Sequence, residues 1–92
     1  MTDVDLSGLA EEVGTGLADA EPERQVVLRV QPGMRAHGDR ALLLTLLDNL
    51  MGNAWKFTRG RDGARVEFIR EAGDDGREWF VVRDNGAGFD PD

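Results

Sequence analysis

The run Asp39-Arg40-Ala41-Leu42-Leu43-Leu44-Thr45-Leu46-Leu47-Asp48-Asn49-Leu50-Met51-Gly52-Asn53-Ala54-Trp55-Lys56-Phe57-Thr58 decides how this chain is read. Asp39, just after Gly38, has the side chain an N-cap needs, and the apolar spacing behind it predicts a helix over 40–58. Leu43, Leu46, Leu47, Leu50, Ala54 and Phe57 fall within one arc of a 3.6-residue wheel, so this arc is expected to face a sheet. Asn49, Asn53 and Lys56 make a second row along one flank, in steps of four and three. Trp55 lies roughly opposite the leucine stripe. It either packs beneath another segment or forms a partner contact, and packing is the favoured reading.

Upstream of this helix, Leu6, Leu9, Ala10, Val13 and Leu17 keep helical spacing over residues 5–19, with Asp5 or Ser7 as the N-cap. Gly14 and Gly16 weaken that helix. Val26, Leu28 and Val30 alternate with Val27 and Arg29 as in a strand, which Pro32-Gly33 ends, and 34–37 reads as a short extended piece. Downstream, 59–63 is a turn. Strand-like segments at 64–71 and 78–83 flank Gly73-Asp74-Asp75-Gly76, which suits a hairpin, and the glycine loop Asp84-Asn85-Gly86-Ala87-Gly88 follows directly.

Composition narrows the class. Ninety-two residues fit one domain, and folding at this size buries roughly 60–65% of the unfolded chain's surface, so stability is expected to be marginal. With 40% apolar residues, two tryptophans and 32% charged residues, the chain reads as a soluble globular piece. It has no cysteine and a single histidine, His37, which excludes disulfides, thiolate metal sites and histidine clusters, and points to the cytoplasm. No stretch reads as a signal peptide or a membrane span, so no direct membrane contact is expected. A formal charge of −7, with Lys56 the only lysine beside ten arginines, disfavours a nucleic-acid partner, which would require many phosphate-neutralising contacts.

The polar row offers specific chemistry. An amide oxygen such as that of Asn53 can ligate a hard cation, and Mg²⁺ usually arrives with phosphates while keeping several waters. Lys56, about one turn on, could set an ammonium against phosphate, and Asn49, one turn earlier, could donate or accept hydrogen bonds. Taken alone, the row reads first as a solvated helix flank. In the glycine loop, the Asp84 carboxylate can accept from an exocyclic amine, while Gly86 and Gly88 would let backbone approach a flat ring. Asn85-Gly86 by itself is an ordinary tight-turn pair.

With both motifs in place, the chain resembles the ATP-binding domain of sensor histidine kinases, a branch of the superfamily that includes gyrase, heat-shock protein 90 and the MutL mismatch-repair proteins. Asn49 to Thr58 resembles that family's N box, and Asp84 to Gly88, preceded by Phe80-Val81-Val82-Arg83, its first glycine box. The resemblance implies a two-layer α/β sandwich, with two helices packed on a small mixed sheet, and makes residues 1–92 the N-terminal portion of one such domain. It implies ATP and Mg²⁺ as cofactors: Asn53 ligating Mg²⁺, Asn49 and Lys56 contacting the phosphates, Phe57 near the nucleotide, Asp84 on the adenine amino group, and Gly86 and Gly88 around the base. Water-hydrolysing members carry an acidic general base where this chain has Asn49, which favours the kinase branch. Asp48 points about 100° away.

The family's ATP lid, second glycine box and later strands have no counterpart in these 92 residues, and His37 lacks the acidic neighbour and long helix of a phosphoacceptor. In the family, the γ-phosphoryl passes to a histidine on a separate dimerisation domain, the implied partner. This stretch alone is expected to be inactive as a kinase. Unpaired strand edges lead to the expectation of a homodimer by strand exchange. A non-catalytic interaction module of the same fold is the alternative.

Overall fold

The structure is a computed structural model that describes residues 2–60 and 63–85. Its elements run β1 (Thr2–Asp5), α1 (Leu6–Ala20), β2 (Val27–Val30), β3 (Arg35–Gly38), α2 (Arg40–Phe57), β4 (Arg65–Ala72) and β5 (Glu78–Asp84). Strand β2 pairs parallel with β4, and β4 pairs antiparallel with β5, giving a mixed three-stranded sheet of order β2-β4-β5. Strands β1 and β3 form a separate antiparallel ribbon. The two helices lie together against the mixed sheet, which is the expected α+β sandwich.

Both helices start as the sequence predicts. Asp5 caps α1, its carboxylate accepting from the Gly8 N–H at 3.0 Å, and Asp39 caps α2, accepting from Ala41 and Leu42 at 2.9 and 3.3 Å. Such caps satisfy N–H groups that have no partner within the helix. The β4–β5 connection is the expected hairpin, closed by Gly73 donating to the Arg77 carbonyl, with Gly76 at φ 83°. The Trp79 ring lies over Gly73, where a Cβ would sit 2.3 Å from it. Strand β1 escapes the periodicity reading because its four residues, Thr2-Asp3-Val4-Asp5, carry one apolar side chain and run straight into a helix. Ser7 ties that start to the next layer: its hydroxyl donates to the Gln31 carbonyl and accepts from the Met34 N–H.

The core holds α1, α2 and the sheet together through Leu9, Val13, Met34, Leu47, Met51 and Phe68 among others. A second cluster, Ala54, Trp55 and Val66, continues it under the C-terminal half of α2. Each fully buried side chain of this kind contributes roughly 1.5–3 kcal/mol.

The burial of α2 corrects the expected stripe. Leu47 and Ala54 are buried, but Leu46, Leu50 and Phe57 are 51%, 43% and 55% exposed. The buried arc is rotated toward Met51, Trp55 and Thr58. The reason is geometric: α1 and the sheet both press on α2, and the arc facing that angle is the one through Leu47, Met51, Ala54, Trp55 and Thr58. Trp55 therefore packs, as favoured.

Candidate functional site

Helix α2 runs alongside β5 in the same direction. Its N-terminal half meets Phe68 and Phe80 through Leu43 and Leu47, and its C-terminal half covers Val66 and Val82 through Ala54 and Trp55. Val66 is the cross-strand partner of Asp84. Side chains alternate across a sheet and directly opposed residues share a face, so Asp84 stands on the helix-bearing face, one step beyond Val82. The end of β5 and the C-terminal half of α2 thus lie at the same end of the sandwich.

Around that end the structure places the expected residues as follows. Asn49, Asn53 and Lys56 are exposed along the flank of α2, and Phe57 closes the helix with its ring largely in solvent. Asp84 is the last residue of β5 and is exposed. Gly86 and Gly88 lie outside the described residues. Asp48 is exposed, and His37 sits in β3 paired with Asp3, outside both motifs.

The last turn of α2 is held by a residue that the pattern does not reveal. The Arg24 guanidinium donates to the Trp55 carbonyl at 2.6 Å and to the Thr58 hydroxyl at 2.9 Å, and the Thr58 hydroxyl donates to the same carbonyl at 2.8 Å. A cation against the last carbonyls of a helix also meets the negative end of its dipole. Glu21 completes the group, pairing with Arg24 at 3.2 Å and with Arg59 at 2.8 Å. Hydrogen bonds from Arg24 and then Arg59 hold the Glu21 carboxyl below the usual glutamate range. The contacts of Arg24 with Trp55 and Thr58 and of Arg59 with Glu21 span 31 to 38 residues, which is why spacing within one element gives no sign of them. They anchor the turn that carries Lys56 and Phe57.

A second anchor lies just past Asp84. The Asn85 side chain accepts from the Arg65 N–H at 2.7 Å and donates to the Gly63 carbonyl at 2.9 Å. Asn85 is therefore a clamp on the start of β4, while Gly86 lies outside the described residues.

No protein-family profile matches the chain, and no curated protein matches it. Among solved structures it is similar to the mycobacterial sensor histidine kinase MprB, with a TM-score of 0.70 and 24% identity over 97% of this chain. The two share a fold. The chain spans 57% of that structure's length. Among the described residues, no helix is long and apolar enough to cross a membrane.

Proposed function

We propose that this chain is the nucleotide-binding part of a cytoplasmic two-component sensor histidine kinase, taking adenine nucleotide with Mg²⁺. The observation that carries the reading is the convergence of Asp84 and the C-terminal half of α2 at one end of the sandwich, on the same face of the sheet, within a fold shared with a sensor histidine kinase. In this reading Asp84 accepts from the exocyclic amine of adenine. Phe57 lies beside the nucleotide, and Asn49 and Lys56 meet the phosphates. Gly86 and Gly88 complete the surround of the base.

The donor set suits a hard cation that arrives with its phosphates. Asn53 offers a neutral oxygen on an open flank, and among the described residues no group of three or more His, Asp or Glu side chains could hold a metal by itself. Mg²⁺ in such a setting keeps most of its waters and phosphate ligands, with one protein oxygen added. The bound metal would neutralise phosphate charge. Catalysis in the whole kinase would consist of positioning and charge neutralisation while a histidine of a separate phosphoacceptor dimerisation domain receives the γ-phosphoryl.

Calorimetric titration with ADP, with and without Mg²⁺, tests the reading. Saturable binding is expected, weakened about tenfold or more in Asp84→Asn, because a charge-assisted hydrogen bond to the base is lost. A folded chain with no affinity for ADP overturns it.

A second reading, an interaction module without nucleotide function, is favoured by one observation: Leu42, Leu46, Leu50 and Phe57 leave an apolar strip open on α2. Strand β5 is also an edge among the described residues, so a homodimer by strand exchange belongs to this reading. Light scattering across a concentration series decides it, a monomer throughout counting against the dimer.

A further inference from the structure

Asn85 is half-buried, and both polar atoms of its amide group bond to the start of β4 and the residue before it. Its Oδ1 accepts from the Arg65 N–H at 2.7 Å, its Nδ2 donates to the Gly63 carbonyl at 2.9 Å, and its own backbone N–H donates to the Arg65 carbonyl at 3.2 Å. A side-chain amide carries the same donor and acceptor as a peptide group. Asn85 therefore extends the β4–β5 ladder past its last pair, Val66 with Asp84, using a side chain where the backbone ladder ends.

Two consequences follow from that placement. The direction in which the chain leaves Asp84 is fixed by three hydrogen bonds rather than by the strand pair alone. Gly63, in the left-handed region at φ 69°, belongs to the connection between α2 and β4. One side chain therefore ties the end of β5 to the segment that leaves the N-box-like helix. Both polar atoms of the Asn85 side chain are bonded to protein. Its contribution lies in where it holds its neighbour.

We propose that Asn85 is a positioning residue for base recognition: it orients the Asp84 carboxylate toward the exocyclic amine of an adenine base by pinning the Asp84–Asn85 backbone to Arg65 and Gly63. The inference rests on the nucleotide reading above and adds the residue that sets the geometry of its base contact.

The test compares ADP with inosine diphosphate, which carries an oxygen in place of the exocyclic amine, on wild type, Asn85→Ala and Asn85→Asp. Thermal melts establish that each variant is folded. Asn85→Ala is expected to raise the Kd for ADP about tenfold, the effect of losing one well-aligned hydrogen bond, and to leave the Kd for inosine diphosphate unchanged. Asn85→Asp keeps the acceptor for Arg65 but sets an oxygen against the Gly63 carbonyl, and is expected to fall between wild type and Asn85→Ala. General loosening of the fold would weaken both nucleotides equally, and that outcome overturns the inference. So does an unchanged ADP affinity in a folded Asn85→Ala. If wild type itself does not bind ADP, the nucleotide reading fails and the inference falls with it; if wild type binds and Asn85→Ala binds equally well, the inference alone falls.

Discussion

Helices α1 and α2 begin alike and are used differently. Each is capped by an aspartate, and each carries apolar residues at helical spacing. In α1 the spacing and the burial agree: Leu6, Leu9, Ala10 and Val13 are buried and Leu17 packs against the core. In α2 the apolar residues cover more than one face, so periodicity alone cannot say which arc is inside. Leu47, Met51, Ala54 and Trp55 go in, whereas Leu42, Leu46, Leu50 and Phe57 stay out. The difference teaches that α1 serves the core alone, while α2 serves the core on one side and presents a second apolar strip beside Asn49, Asn53 and Lys56 on the other.

Truncating one residue on each side of α2 separates its two faces. Met51 is completely buried, so Met51→Ala is expected to cost about 2–5 kcal/mol through lost transfer energy and a cavity. Leu42, 70% exposed, should tolerate alanine to within about 0.5 kcal/mol. Urea denaturation of the two variants measures the contrast. Similar losses would mean that the leucine strip is covered in solution.

Two arginines at the ends of α2 differ in the same way. Arg24 holds the last turn of α2 from a nearly buried position, whereas Arg40 reaches across from α2 to Glu12 of α1 as an exposed pair at 3.0 Å. Arg24→Ala removes a charged donor from both the Trp55 carbonyl and the Thr58 hydroxyl and is expected to cost about 1.5–3 kcal/mol. Arg40→Ala should cost under about 1 kcal/mol, because an exposed pair is screened and entropically opposed. Equal effects in denaturant melts would remove the distinction between the clamp and an ordinary surface pair.

Within α1 the two glycines answer differently. A Cβ on Gly14 would sit 2.2 Å from the Leu28 side chain, whereas one on Gly16 would meet nothing within 4 Å. Gly14→Ala is therefore expected to destabilise by about 1–3 kcal/mol despite alanine's better helix propensity. Gly16→Ala should stabilise by roughly 0.5–1 kcal/mol. Opposite signs in thermal melts check the pair. A gain at both positions would show that Leu28 moves aside freely.

How much of this was legible follows the same divide. The caps at Asp5 and Asp39 and the hairpin at 73–76 depend on contacts between residues near in sequence, and α1 has a single apolar arc to bury, so the pattern carries all of them. The choice of face on α2 depends on where α1 and the sheet press, which no local period encodes. The candidate site splits likewise. Its residue types and order on α2 and β5 are visible in the sequence, but their convergence rests on the Val66–Asp84 register and on Ala54 packing over Val66. The anchors, Arg24 and Asn85, act across 20 or more residues and carry no spacing signature.

Acid provides the finest probe, because it acts on the clamp at the end of α2 through Glu21. Glu21 bonds both Arg24 and Arg59, and those bonds lower its carboxyl pKa in the folded chain. A carboxylate whose folded pKa is depressed adds stability that is fully present above its unfolded value, about 4.3, and that fades as pH falls through the lower folded value. Wild type should therefore be slightly more stable than Glu21→Gln near neutrality, with the gap closing as pH drops below about 4.3. Taking the difference between the two melting curves cancels the other carboxylates, which titrate in both proteins. The effect should be small, since Arg59 is largely exposed and its share of the pairing is screened by solvent. A gap that widens on acidification would mean that Glu21 holds its proton in the folded chain, and that Arg24 secures the last turn of α2 without help from a charged partner.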